Sequence, residues 1–278
     1  MIRIENLIKQ FKKNKAVNNL SLHVRKQEIY GFLGPNGAGK TTTIKILSTL
    51  TLPTSGMVFI DKCNVLDNPL QAKKQIGVVH QTLNLDPELT GYENLLIHGL
   101  LFNMKIKDIK KNAAEFFEFV ELKDVMGNVV KTYSGGMRRR LTIARALIHH
   151  PKVLIMDEPT AGLDAFARRK VWGLMKRIRD NGSTIFLTTH YIEEAQYLSD
   201  RVGILDKGGL IAEGSPEKLI NNFGKIAVDM EGSEGLEVEF FQNRAEAVKF
   251  VSRIDKSATI RGANLEDVFI KLTGRRVK

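Results

Sequence analysis

Cysteine is almost missing from this 278-residue chain, with Cys63 as the only one. One thiol forms no intrachain disulfide and no cysteine metal cluster, so a reducing compartment is the simplest setting. Long apolar runs are missing as well. No stretch approaches the roughly 18 residues of a membrane span, and runs such as VLIM are strand-sized. The opening MIRIENLIKQFKKNKAV carries charge throughout and lacks the apolar core of a signal peptide. There is no long repeat and no low-complexity segment. Acids are in short supply, 31 against 42 Lys and Arg, for a net charge of +11. Residues 220–278 hold ten basic and nine acidic side chains, so the excess lies before them. Such a balance suits nucleic acid, an anionic membrane surface or nucleotide phosphates. The clusters KQFKKNK and RRR are scattered and have no aromatics between them, so each is read as solvated surface.

What remains is ordinary for a globular protein, 43% hydrophobic and 26% charged, with room for one large domain or one domain and a small partner. One stretch is not ordinary. GFLGPNGAGKTTTIKIL (residues 31–47) packs Gly31, Gly34, Gly37 and Gly39 ahead of Lys40 and Thr41. An apolar strand, EIYGFLG, precedes it and a helical pattern follows. This is the strand–loop–helix setting of a phosphate-binding P-loop. Glycines let backbone N–H groups turn inward around an anion, and the helix N-terminus adds partial positive charge. Lys40 would reach the β- and γ-phosphates and the Thr41 hydroxyl would hold Mg²⁺. A P-loop alone does not separate a kinase, a GTPase and a motor.

Short strands are expected at 2–8, 17–24, 57–60 and 76–79, partly antiparallel around the P-loop strand, and mostly helix over 91–148. From 151 the pattern turns βαβ. KVLIMD, STIFLTT and RVGILD are strands, and AFARRKVWGLMKRIRD and IEEAQYLS are helices. Continuous apolar strands imply a parallel sheet covered on both faces. Residues 224–278 read as strands plus the helices NRAEAVKFVSRI and NLEDVFIKLTG. In the last, Leu265, Val268, Phe269 and Leu272 fall at i, i+3, i+4, i+7. That face has to be buried, on the appendage itself or in a dimer contact.

Two more stretches carry chemistry. VLIMDEPT runs a buried strand into Asp157-Glu158, beside a P-loop in such a fold. There Asp157 could hold Mg²⁺, directly or through water, and Glu158 could orient and deprotonate an attacking water. YSGGM places Ser134-Gly135-Gly136 directly before an amphipathic helix, a second anion site. One nucleotide needs one such cradle, so this one is read as serving a nucleotide bound by another copy.

Taken in order, these motifs resemble the ATP-binding subunit of ABC transporters over residues 1 to about 220. GPNGAGKT looks like Walker A, in which Gly34, Pro35, Asn36, Gly37, Ala38, Gly39, Lys40, Thr41 and the following Thr42 would contact nucleotide. MDEPT looks like Walker B with its catalytic glutamate, and YSGGM like the signature motif. The resemblance implies further roles. Gln81 would be the Q-loop glutamine touching Mg²⁺ and the membrane subunit, Asp164 in AGLD the D-loop, His190 in TTH the switch histidine, and Phe11 the aromatic stacked on adenine. Tyr133 and Met137 depart from the commoner L-S-G-G-Q. The tail LEDVFIKLTG is similar to that of daunorubicin-resistance-type exporter ATPases.

The resemblance implies an α/β fold: a P-loop NTPase core with an N-terminal antiparallel β subdomain, a helical signature subdomain and a small C-terminal α/β appendage. The ATPase domain would span 1–220, its helical part about 88–150, and the appendage 221–278. The implied function is Mg²⁺-dependent ATP hydrolysis that energises a membrane exporter of drugs or other amphipathic compounds. ATP would be sandwiched between two ATPase subunits, alike or different. Separate permease chains would hold the protein peripherally on the cytoplasmic face, and no specific nucleic acid is expected. The alternative is a soluble ABC ATPase acting on ribosomes or DNA. Such proteins usually carry two ATPase domains or long coiled-coil or zinc insertions, and this chain has neither. An ATP sensor without turnover is disfavoured by the presence of both Glu158 and His190.

Overall fold

The computed structural model describes residues 1–232, 235–254 and 256–274. The chain opens with an antiparallel hairpin, β1 (Ile2–Phe11) and β2 (Asn14–Val24). β3 (Ile29–Leu33) is buried along its whole length and feeds the glycine loop and α1 (Lys40–Leu47). β4 (Ser55–Ile60) and the two-residue β5 (Cys63–Asn64) return to the hairpin, giving a four-stranded antiparallel sheet ordered β2-β1-β4-β5. α2 (Pro69–Gln75) leads into β6 (Ile76–Val79). A helical block follows: α3 (Gly91–Leu101), α4 (Ile106–Phe119) and α5 (Gly135–Leu147). The βαβ part comprises β7 (Val153–Asp157), α6 (Ala165–Asp180), β8 (Thr184–Thr189), α7 (Ile192–Leu198) and β9 (Arg201–Asp206). β10 (Gly209–Gly214) and α8 (Pro216–Asn221) close it. The remainder is β11 (Ile226–Gly232), β12 (Gly235–Phe241), α9 (Arg244–Val251), β13 (Ala258–Gly262) and α10 (Leu265–Thr273).

The central sheet has the order β10-β9-β3-β8-β7-β6, parallel except for the edge strand β10. Side chains alternate across a strand, and here the alternation feeds two cores. Val153 and Ile155 of β7 pack with the antiparallel sheet, whereas Leu154 and Met156 pack with the helical block. Both faces are thus covered, which is why the central strands read as unbroken apolar runs. The parallel register brings the C-terminal ends together: Leu33 lies opposite Thr189, and Asp157 opposite Thr188. The P-loop, the acid pair and His190 therefore emerge on one edge of the sheet.

β5, β10, α2 and α8 escaped the periodicity, β5 because it is two residues long. β10 is only half covered, so its pattern is diluted. α2 and α8 are short, although each opens with a proline in its first turn, and α8 also has a Ser215 cap. The tail differs from both expectations for its apolar face. β12-β11-β13 and α9 form a small core of their own around Val228, Met230 and Ala247. α10 does not join it. Leu265, Val268 and Phe269 insert into a cluster with Leu33, Ile192, Ala195, Val202, Ile204 and Leu219. The helix is thus buried against the nucleotide-binding core of its own chain. Arg261 anchors it, donating to both carboxylate oxygens of Asp229 on β11 and of Asp267 on α10 at 2.7–2.8 Å.

Candidate active site

The loop after β3 lines one wall of a cavity of about 620 Å³ through Asn36, Gly37, Gly39, Lys40, Thr41 and Thr42. Gly39 caps α1 with φ 104°, a left-handed conformation open to glycine, and a Cβ there would collide with the Ala16 carbonyl. Lys40 is buried, and its Nζ donates to the Gly34 and Pro35 carbonyls at 2.6 and 3.2 Å. Burial pushes the ammonium below its ordinary value, opposed by the charges of Glu158 and Asp157. Gly34, Pro35 and Ala38 shape the loop without lining the cavity. Phe11 does line it. It sits half-exposed at the end of β1, with Lys9 Nζ 4.8 Å from its ring centroid, so it is no core residue.

Glu158, Gln81 and His190 line the same cavity. The Glu158 carboxylate is held from two sides: Gln81 Nε2 donates to Oε2 at 3.3 Å, and His190 Nδ1 lies 3.0 Å from Oε1. Glu158 has φ 46°, and its N–H donates to the Thr188 carbonyl. Non-glycine residues with positive φ persist where the surroundings over-determine them. Asp157, at the end of β7, is fixed by the Thr188 hydroxyl donating to Oδ1 at 2.6 Å. A hydroxyl, an amide and a carboxylate suit Mg²⁺, which takes few protein oxygens and fills its shell with water and phosphate. Thr41 and Gln81, which line the cavity, and Asp157, beside the lining residue Glu158, would supply that set, and Mg²⁺ bound there would neutralise charge on the phosphates.

Ser134, Gly135, Gly136 and Asp164 are not among the residues lining this cavity. Ser134 caps α5, its Oγ accepting from the Met137 N–H at 3.2 Å, while the Ser134 N–H points at Met137 Sδ at 3.5 Å. Met137 thus answers the helix-capping role that a Gln side chain would fill at this position. The Tyr133 hydroxyl donates to the Val125 carbonyl and its ring is buried, so the substitution there is a packing solution. Asp164 caps α6, and a Cβ on Gly136 would come within 3.0 Å of the Ala167 Cβ. The signature and the D-loop segment therefore lie side by side on an exposed surface.

Several residues at the site carry no motif. Asn14 and Ala16 line the cavity from the tip of the β1–β2 hairpin. The RRR cluster, expected to be solvated, is instead bound to backbone carbonyls. Arg138 donates to Val130 and Lys131, and Arg140 to Val120 and Glu121. Arg139, 2% exposed, donates to the carbonyls of His80 and Gln81. It thereby ties the signature helix to the Q-loop. Three successive positions on a helix cover about 200° of its circumference, so one of them facing inward was a possibility the spacing offered.

The sequence profile described as ABC transporter matches residues 17–161. The chain is 40% identical over 300 residues to the Nod factor export ATP-binding protein I of Cupriavidus metallidurans, covering 100% of this chain and 99% of that one. It is 34% identical over 310 residues to the linearmycin resistance ATP-binding protein LnrL of Bacillus subtilis, covering 100% of both. Among solved structures, an ATP-binding cassette in a dimeric post-hydrolysis state with ADP and Pi superposes with TM-score 0.69 at 30% identity, over 77% of this chain and 98% of that one. The ADP conformation of another cassette gives TM-score 0.73 at 28% identity, over 80% and 94%. With the matched segment running from the hairpin through the P-loop to the acid pair, and with full-length relatives on either side of it, the chain belongs to the ABC transporter family of ATP-binding cassettes and is an ATPase.

Proposed function

We propose that this chain is the motor subunit of an exporter of amphipathic compounds, attached to separate permease chains on the cytoplasmic face of the membrane. The observation that carries the chemistry is the Glu158 carboxylate, held between Gln81 and His190 in the cavity that Lys40 also lines. Glu158 takes the proton of a water whose oxygen attacks the γ-phosphorus, and the bond to the ADP oxygen breaks. Lys40 and the P-loop N–H groups hold the phosphates, His190 and Gln81 orient Glu158, and Phe11 stacks on adenine.

Export is supported by the Nod factor export and linearmycin resistance proteins, both aligned along this whole chain. Among the described residues no helix is long and apolar enough to cross a membrane, and in this reading separate permease chains form the transport path. Ile97, Leu100 and Leu101 on α3 and Ile106 on α4 are 46–75% exposed apolar side chains on the helical block. They offer a docking surface for a permease. Ser134 and Asp164, outside their own cavity, suit a two-subunit sandwich. The test is to purify the tagged chain from membranes, identify its partner and reconstitute the pair in vesicles. A polytopic partner and ATP-driven movement of an amphipathic dye are expected. Ribosomes or DNA as the stable partner would favour the soluble alternative.

A further inference from the structure

We propose that Glu194 is a positioning residue for hydrolysis, fastening the segment that carries Glu158 to the segment that carries His190. The proposal rests on the roles given above to those two residues. Glu194 lies on α7, four residues beyond His190, and its side chain is fully buried. Oε1 accepts from the Thr160 hydroxyl at 2.7 Å and from Trp172 Nε1 at 2.9 Å. Thr160 is two residues beyond Glu158, and Trp172 belongs to α6, the helix capped by Asp164. Two ties thus join the same pair of segments. The outer one is His190 to Glu158 at 3.0 Å, and the inner one is Glu194 to Thr160. A third contact runs alongside, with Arg168 on α6 4.9 Å from the Tyr191 ring centroid and Tyr191 against His190.

A carboxylate is an expensive side chain for such a place. The Thr189 hydroxyl, directly before His190, also contributes a hydrogen bond to this carboxylate, and among the described residues Arg168 Nε is buried without a hydrogen-bond partner. Burial raises the Glu194 carboxyl above its ordinary range, against the pull of its hydrogen bonds and of Arg168, while Arg139 feels its charge from α5. An apolar residue would fill the same volume at lower cost. What it would not supply is one acceptor for two donors from two other elements. Those donors hold the loop in which Glu158 keeps its positive φ. None of Glu194, Thr160 and Trp172 lines the nucleotide cavity, so losing the tie should misplace the base without touching the phosphate contacts.

The test compares Glu194→Ala, Glu194→Gln, His190→Ala and the double Glu194→Ala/His190→Ala variant in the full chain. The readouts are kcat, ATP dissociation constant and intrinsic fluorescence. Trp172 is the sole tryptophan, so emission reports the tie directly. Glu194→Ala is expected to shift the emission and lower kcat by about 10²-fold, the effect of a small misplacement of a reacting group, with the ATP dissociation constant within about threefold. Glu194→Gln keeps an acceptor oxygen and should recover most of kcat. The double variant should lose no more than the worse single one, because both act through one arrangement. A shifted emission with kcat within about twofold of the parent would overturn the proposal. So would a parallel loss of ATP affinity, or additive losses in the double variant. If His190→Ala itself kept full kcat, the role of His190 would fall, and this inference with it.

Discussion

At the scale of single residues, the proposed mechanism separates groups that would bind from the group that would react. Lys40 and the glycine loop would meet the phosphates, whereas Glu158, lining the same cavity, is held by Gln81 and His190. Glu158→Gln keeps the shape and the contacts to Gln81 and His190 but removes the proton acceptor. Steady-state ATPase activity is expected to fall by about 10²–10⁴-fold with ATP affinity retained, which coupled-enzyme and equilibrium-binding assays would show. Near-normal turnover would remove Glu158 from the role of base. Most of this was legible in the sequence, because a P-loop and a strand-end acid pair are local patterns with a local physical meaning. Ala16, Arg139 and Thr188 were not legible. Each acts on a group far away in sequence: Ala16 on Gly39, Arg139 on Gln81, Thr188 on Asp157.

At the scale of elements, α10 shows how an amphipathic helix can have an unforeseen seat: Leu265, Val268 and Phe269 are buried as their spacing predicts, whereas Leu272 is exposed. Periodicity fixes which face is apolar, and only the fold decides what covers it. Here the cover includes Leu33 at the end of the P-loop strand and Ile192 just beyond His190. The Leu265 N–H also donates to Gln196 Oε1 on α7 at 2.8 Å. The tail is thus built into the core behind the site and into the helix that follows the switch histidine. Phe269, 1% exposed, is the large side chain of that contact. Phe269→Ala is expected to cost about 3–5 kcal/mol of unfolding free energy in urea titrations. ATP affinity of the folded variant should be unchanged, since no residue of α10 lines the cavity. Loss of affinity without loss of stability would mean that the helix shapes the binding site itself.

At the scale of the whole molecule, the proposed mechanism uses two helix ends suited to anions, at the P-loop and at Ser134. The end at Ser134 is exposed beside Asp164 and is not among the residues lining its own cavity. A second subunit facing it would complete both sites. Ser134→Arg should leave ATP binding by the monomer intact while blocking ATP-dependent dimerisation, scored by light scattering in the Glu158→Gln background. The lost helix cap should cost only about 1 kcal/mol, so the variant should fold. A normal ATP-dependent dimer would argue against the sandwich for this protein.

By itself the sequence determined the chemistry and the class of fold. Phosphate cradling, metal ligation and water activation each need particular side chains within a few residues of one another, and buried parallel strands need unbroken apolar runs. Only the tertiary structure decided which distant groups hold those residues in place. The Glu194–Thr160 bond, the seating of Arg139 on the His80 and Gln81 carbonyls and the burial of α10 against Leu33 all join segments dozens of residues apart or more. Such contacts follow from how sheets and helices stack, and neither spacing nor composition along the chain encodes their distance in space.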